Sequence, residues 1–109
     1  MYRVNVSFFL KAQEYALLDE FLRTRLVPLL RDDEGVAQVD LLEVMTQVPV
    51  VEMAQSMDDM VLALLISLEQ ERDLEHYLSE VLGERLELLG KTFGERVLYH
   101  VTPMRQIAL

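Results

Sequence analysis

The hydrophobic and polar positions of this chain follow two spacings, one of two residues and one of three to four, and the two alternate along the sequence. From Tyr2 to Leu10 every second residue is apolar and three polar residues stand between them, which predicts a first strand over residues 2 to 10. Over residues 12 to 30 the apolar positions recur every three or four residues, as on one side of an amphipathic helix. Pro28 lies late in this helix, so we expect a kink there or a restart as a separate short turn.

Two further strands are predicted in the middle of the chain. The first of them fits residues 36 to 45, with apolar residues on both faces, and follows a run of turn residues. The next fits residues 60 to 68, where nearly every position is apolar, so that both of its faces should be covered by protein. Between them, residues 46 to 58 form an irregular connection that is either a long hairpin loop or a pair of strand extensions.

The last third of the chain predicts a second helix and a last strand. Residues 71 to 89 return to helical spacing, and Gly90 is the expected C-cap. The last strand begins at Val97, and Pro103 is expected to interrupt its pairing because Pro lacks the N–H that a ladder needs. Residues 103 to 109 form an apolar C-terminal tail.

The resulting order of strand, helix, strand, strand, helix and strand predicts a fold. In about 100 residues this order is typical of the ferredoxin-like βαββαβ arrangement, in which both helices cover one face of a four-stranded antiparallel sheet. The sequence therefore predicts one α+β domain over residues 1 to 109, with strand order 4-1-3-2.

The third strand also predicts a partner. An antiparallel sheet that leaves one face to water usually shows polar residues there, but this strand has Val61, Ala63 and Leu65 on the second face. A second copy of the chain, packed sheet against sheet, would cover them and form a homodimeric α/β barrel. The alternative is that residues 46 to 58 or the tail fold back over this face within one chain.

Composition and charge narrow the classes of partner. The chain has no Cys, which excludes disulfides and thiolate metal sites, and its formal net charge is −9. Such a charge repels phosphate backbones and anionic lipids, so neither nucleic acid nor membrane is an expected partner. Without a signal-peptide pattern at the start, a cytoplasmic location is expected.

Several short motifs resemble a bacterial family of about 100 residues with no known function. The first strand, Tyr2 to Phe8, is similar to the family's opening Tyr-Asn-Val-Thr-Val, and the segment Leu26 to Pro28 is similar to its His-Ile-Pro element. Tyr77 and the segment Phe93 to Arg96 resemble its helical Tyr and its Phe-Gly-Asp-Lys motif. This chain has Leu26 where the family has His. The resemblance implies a ferredoxin-like fold and a dimer, and no activity.

A few polar side chains are candidates for chemistry. If the face that carries Asn5 and Ser7 meets the helices, these residues would line a small polar pocket with His100, Thr102 or Tyr99; otherwise they are a polar spot in the dimer interface. His76 lies in the middle of the second helix near carboxylates, where a solvated side chain is the favoured interpretation. His100 is favoured as a core or interface residue.

Neither a metal site nor a cofactor is predicted. The acidic run from Asp32 to Glu34 and the acidic residues from Glu69 to Asp73 do not have the spacing of a calcium loop. We therefore expect both groups to lie on solvated surfaces.

Two functions follow from these observations. The preferred one is a homodimeric module without an assembled catalytic site, which binds a small apolar molecule or a protein partner. The alternative is a cofactor-independent or haem-linked monooxygenase or isomerase of the dimeric α/β-barrel type, working in a cleft between sheet and helices with Asn5, His76, Tyr99 and His100. Haem-degrading enzymes of this shape also use a Trp, which this chain lacks.

Overall fold

A computed structural model describes residues 1–45 and 59–109. The four strands are β1 (Tyr2–Lys11), β2 (Val36–Glu43), β3 (Asp59–Leu68) and β4 (Val97–Arg105). The α-helices are α1 (Tyr15–Phe21), α2 (Val27–Asp32), α3 (Glu71–His76) and α4 (Leu82–Phe93). Short 3₁₀ turns at Ala12–Glu14 and Gly94–Arg96 join helices to strands.

The strands form one antiparallel sheet in the order β2-β3-β1-β4. The central pair is β1 and β3, in which Val6 lies opposite Leu64, and on its other side Val6 lies opposite Val101 of β4. This is the predicted order 4-1-3-2 read from the other edge, so the ferredoxin-like prediction is confirmed.

The core lies between the sheet and the helices. Alternate residues of β1, namely Val4, Val6 and Phe8, are fully buried, as are Leu64 and Ile66 of β3. They belong to the same cluster as the apolar stripes of the helices, which include Leu18, Leu22, Leu26, Tyr77, Leu86, Leu89 and Phe93. The period-two pattern of the strands and the 3.6-residue pattern of the helices thus meet in one layer.

Each helical region contains a wide turn. A π turn at Leu22–Leu26 separates α1 from α2, and another at Tyr77–Val81 separates α3 from α4. Pro28 follows the first π turn as the second residue of α2, and the backbone at Phe21, Leu22, Leu26 and Val27 keeps helical dihedral angles. The helical region therefore continues through the proline and does not restart as a separate turn.

Two sequence predictions at the ends of the last elements are wrong. The second helical region continues past Gly90 to Phe93, and its C-cap is Gly94, whose φ of +56° suits glycine. Pro103 does not interrupt β4, which continues to Arg105 with Pro103 opposite Val4. As β4 is an edge strand that pairs on one side, it can accommodate a residue without an N–H.

The tail leaves the sheet without covering it. The Gln106 N–H donates to the Met1 carbonyl oxygen at 3.0 Å, which extends the pairing by one residue. Ile107 and Leu109 beyond it are exposed, so the alternative in which the tail folds back over the sheet is wrong. The prediction for residues 46 to 58 lies outside the described residues.

Candidate functional site

The sheet has one face turned away from the helices, which we call the open face. At one end of it, four apolar side chains lie side by side on β1, β3, β4 and the residue after β2, because β1 pairs Phe9 with Val61 and with Leu98, and the Val44 N–H donates to the Val61 carbonyl oxygen. We call Val44, Val61, Phe9 and Leu98 the apolar row. Leu98 is 60% exposed, and Phe9 and Val44 are each 45% exposed. Large apolar side chains are thus presented to solvent together at this end of the sheet.

The next rows of the open face mix apolar and polar residues. Ala63 and Leu65 of β3 continue the apolar surface, and Leu42 of β2 lies opposite Ala63 with 49% exposure. On the other side of β3, Ser7 and Asn5 of β1 pair with Ala63 and Leu65. The open face therefore carries all three predicted dimer-face residues, Val61, Ala63 and Leu65.

The predicted pocket residues of β1 lie on this open face rather than against the helices. The Asn5 side-chain amide donates from Nδ2 to Ser7 Oγ at 2.8 Å, and His100 and Thr102 lie opposite Ser7 and Asn5 on β4. The buried face of β1 is the one with Val4, Val6 and Phe8. The condition for a pocket between sheet and helices, that Asn5 and Ser7 face the helices, is not met.

The remaining candidates lie elsewhere. Tyr99 pairs with Phe8 and so projects to the helix side of the edge strand β4, where it is 46% exposed. His76 is exposed at the end of α3. The four candidates for an oxygenase site therefore occupy three surfaces: the open face for Asn5 and His100, the helix side of β4 for Tyr99, and a helix for His76.

A cavity of about 400 Å³ lies at the end of the sheet next to the apolar row. It is formed where β1 ends, where β3 begins and where the 3₁₀ turn leads into β4. Its apolar wall consists of Phe9, Leu10, Met60, Val61 and Leu98. Its volume falls in the range of small-molecule sites, and its lining has the mainly apolar character of such sites.

The rim of the cavity carries four charged residues, of which three are paired. Lys11 forms an ion pair with Asp59 across the β1–β3 ladder. Arg96 donates from Nη1 to Glu14 Oε2 at 3.2 Å, and its other donors reach the carbonyl oxygens of Phe93 and Thr92 at 3.2 and 3.0 Å. The fourth, Glu95, is exposed. Because both cations face carboxylates, the cavity has no strong preference for an anionic ligand.

A separate polar cluster that the sequence analysis missed lies between the end of α2 and the second helical region. Asp33 accepts from Arg85 Nη2 at 2.6 Å and Nε at 3.1 Å, and from the Tyr77 hydroxyl at 3.2 Å. The Asp33 side chain is 7% exposed, so the expectation that the run from Asp32 to Glu34 is solvated is wrong for Asp33. Nothing in the run itself distinguishes Asp33 from its neighbours, since its partners come from 44 and 52 residues away.

The cluster changes the acidity of Tyr77. Burial raises the pKa of the Tyr77 hydroxyl well above its ordinary value of 10, and the neighbouring Asp33 carboxylate raises it further. The same carboxylate raises the pKa of Arg85. A neutral Tyr and a charged Arg both donate to Asp33 at any ordinary pH, so this cluster fastens the turn before β2 to the second helical region and is structural in character.

The part of the chain that the structure describes contains neither a cluster of metal ligands nor a membrane-spanning helix. Among residues 1–45 and 59–109, no three His, Cys, Asp or Glu side chains are grouped so that they could hold a metal ion. In the same residues, no helix has the length and apolar character needed to cross a membrane.

Comparison by sequence identifies no relative. No protein-family model matches the chain, and no curated protein matches it. The resemblance to the bacterial family without known function, the bacterial origin and the cytoplasmic location therefore stay predictions.

Comparison by structure finds proteins of the same fold. A crystal structure of an ethyl tert-butyl ether D (EthD) family protein from Bacillus halodurans matches with a TM-score of 0.65 and 12% identity, over 98% of this chain and 100% of that one. A Deinococcus radiodurans protein, provisionally named an antibiotic biosynthesis monooxygenase, matches with a TM-score of 0.67 and 12% identity, over 100% and 95%. The de novo designed protein Foldit4 matches with a TM-score of 0.57 and 11% identity, over 97% and 98%. A designed protein among the three illustrates that this fold does not by itself carry a function.

Proposed function

We propose that this protein is a homodimer that pairs through the open faces of its two sheets and binds a small, mainly apolar molecule in the cavity beside the apolar row. The observation that carries the proposal is the apolar row itself, in which Val44, Phe9 and Leu98 are exposed in a single chain although they lie side by side with Val61.

The hydrophobic effect gives the pairing its physical reason. Covering apolar surface contributes about 25 cal/mol per Å², and a patch of several large side chains on one flat face is the surface that sheet-on-sheet packing buries. A two-fold pair needs one self-complementary patch rather than two different ones. Ala63 lies in the middle of the open face, where a small residue lets a second sheet approach closely.

The cavity supports the ligand part of the proposal. Its wall is apolar on both sides of the sheet, with Leu10 and Met60 toward the helices and Phe9, Val61 and Leu98 toward the open face. A few paired charges at the rim provide hydrogen-bonding groups that would orient a ligand.

A monooxygenase or isomerase is the second candidate, and the named activity of the Deinococcus radiodurans neighbour favours it. That neighbour is 12% identical, which supports the fold alone. The positions of Asn5, His76 and Tyr99 on separate surfaces weigh against an acid–base set made of these residues, since such groups must lie within hydrogen-bond reach of one substrate.

The first experiment measures molar mass by light scattering on a sizing column, with an absorbance spectrum of the same peak. We expect about twice the chain mass of 12.7 kDa for the natural sequence. Ala63→Arg should give a monomer, because it places a long cation in the middle of the buried face. The matched control is Ala16→Arg, the same change at an exposed position of α1, which should remain a dimer.

Two results would overturn this proposal. A natural protein that is monomeric at every concentration would mean that the open face does not pair, and an Ala63→Arg dimer would mean that the pairing uses another surface. A visible absorbance band on the peak would instead move the function toward the haem-linked alternative.

A further inference from the structure

The cavity and the open face share a wall. Phe9, Val61 and Leu98 belong to the apolar row of the open face and also line the cavity. The other two apolar residues of the wall, Leu10 and Met60, approach it from the helix side. Among the described residues, one wall of the cavity therefore belongs to the helix side of the sheet, and the other wall belongs to the open face on which the partner would lie.

From this shared wall we infer that the partner copy completes the cavity, so that binding of a neutral, mainly apolar molecule and dimerisation strengthen each other. The inference rests on the proposed function, because it takes the open face as the dimer interface. It adds that the ligand site is incomplete in one chain and that the two equilibria are linked.

The exposure of the wall explains why one chain is not enough. Leu98 is 60% exposed and Phe9 is 45% exposed, so an apolar molecule bound to one chain would keep one side in water. Small-molecule sites usually bury most of the ligand surface. A second sheet about 10 Å away would cover that side and remove the remaining apolar area from water.

The distribution of apolar and polar residues on the open face favours one position of the two-fold axis between the two sheets. A two-fold axis parallel to the strands brings the same row of both copies together, so that the apolar row meets the partner's apolar row. An axis perpendicular to the strands would instead bring it to the opposite end of the sheet, where Arg3 lies beside Ser67 and Met104. Apolar side chains cover an apolar row better than a row that contains the Arg3 cation does, so the first arrangement is favoured, and it puts the partner's apolar row over the open side of the cavity.

The charges at the rim set the class of ligand. Asp59 faces Lys11 and Glu14 faces Arg96, so neither cation requires a ligand carboxylate, and Glu95 is exposed, so water solvates its carboxylate without a ligand ammonium. The volume of about 400 Å³ accommodates a molecule of two or three rings. N-phenyl-1-naphthylamine, which is neutral, has this size and fluoresces more strongly in an apolar site, so it is a suitable probe.

The first test is a fluorescence titration of this probe into the natural protein, Ala63→Arg and Ala16→Arg. Ala63 is not part of the cavity wall but is 8% exposed and lies next to Val61, so the circular dichroism and urea unfolding of Ala63→Arg must match those of the natural protein before a change of probe affinity is assigned to the loss of the partner. We expect at least about tenfold weaker binding to Ala63→Arg and unchanged binding to Ala16→Arg. By reciprocity, saturating probe should lower the dimer dissociation constant of the natural protein by this factor for each of the two symmetric cavities, which is at least about a hundredfold when both are filled.

A second pair of variants tests whether the probe binds in the cavity. Glu95 is exposed and lines the cavity, so Glu95→Trp should obstruct it and remove probe binding without touching the sheet. Glu84→Trp, the same change on the exposed side of α4, should bind probe normally. Both variants should keep the molar mass of the natural protein.

The outcomes separate this inference from the proposed function. A natural protein that is monomeric at every concentration would overturn both. A dimer whose monomeric Ala63→Arg variant binds probe as tightly as the natural protein would overturn only the inference. The inference would also fall if the dimer bound no probe, or if Glu95→Trp bound it unchanged.

Discussion

At the scale of single residues, the least predictable feature is the cluster of Asp33, Arg85 and Tyr77. The Asp33 side chain is 7% exposed, and a two-point contact with Arg85 and a hydroxyl donor replace the hydrogen bonds to water that it loses. The sequence shows three acids in a row and places both donors dozens of residues away. Which acid is buried depends on how the turn is oriented against the second helical region.

Removing the cation should destabilise the fold. In Arg85→Met, the Tyr77 hydroxyl is the one side-chain donor to Asp33 that remains among residues 1–45 and 59–109, and we expect a loss of about 3 kcal/mol in the free energy of unfolding. Urea unfolding followed by circular dichroism measures this loss. The control is Arg72→Met on exposed α3, which should change stability by less than about 0.5 kcal/mol. Equal effects of the two changes would contradict a structural role for the cluster.

The raised pKa of Tyr77 predicts a dependence of stability on pH. Above the ordinary tyrosine pKa of 10 the unfolded chain releases this proton while the folded chain keeps it, so the contribution of Tyr77 is complete below pH 10 and is lost above it. Between pH 10 and 11 the natural protein should lose up to about 1.4 kcal/mol more stability than Tyr77→Phe.

The measurement is urea unfolding of both proteins from pH 8 to pH 11. Below pH 10 the difference between them should be constant, at about 1 kcal/mol for the lost hydrogen bond to Asp33. Parallel curves up to pH 11 would show that Tyr77 titrates like a solvated tyrosine.

At the scale of elements, the type of each helix and strand follows from its spacing, and the errors lie at the ends. The predicted helix over 71 to 89 ends at Phe93, because Gly90 is compatible with helical geometry and Gly94 adopts the positive φ. A glycine is a helix stop only where the following chain must turn back, and that depends on where β4 pairs with β1. Gly94 directs the chain from the helical layer into the sheet.

Substitution by Ala should change the free energy of unfolding in opposite directions at Gly94 and at Gly90. Gly94→Ala should lower the free energy of unfolding by about 1 to 2 kcal/mol, because an L-residue is strained at φ +56°. The added Cβ would meet no atom within 4 Å, so a steric clash does not contribute to this loss. Gly90→Ala should gain about 0.5 to 1 kcal/mol, because Ala is the better helix former and its Cβ also has open space. Thermal and urea unfolding of both variants measure the two signs. Destabilisation by Gly90→Ala would mean that Gly90 ends the helix after all.

At the scale of the whole molecule, the two faces of the sheet differ in what covers them. The helix face is filled by one continuous core, whereas the open face keeps exposed Phe9, Leu42 and Leu98 in the single chain. The homodimer and its shared cavity are proposals that follow from this asymmetry. Their tests compare the molar mass and the probe affinity of the natural protein with those of Ala63→Arg. This substitution should change both quantities only if the two chains meet at the open face.

The sequence by itself determined the elements, their order and the ferredoxin-like topology. It did so because burial on one side of a strand or helix imposes a period on neighbouring residues, and right-handed crossovers leave few ways to assemble six such elements. It also placed Val61, Ala63 and Leu65 together on the second face of β3, since side chains alternate along a strand.

Only the tertiary structure decided which face of β1 meets the helices, which acid in the run from Asp32 to Glu34 is buried, and where a cavity forms. Asn5 and Ser7 alternate with Val4, Val6 and Phe8, so the sequence separates the two sets without saying which surface each one meets. Each of these features depends on a contact between residues far apart in the chain, such as Phe9 with Leu98 or Asp33 with Arg85. The local spacing of apolar residues does not predict such contacts, because they depend on how the sheet and the helices pack.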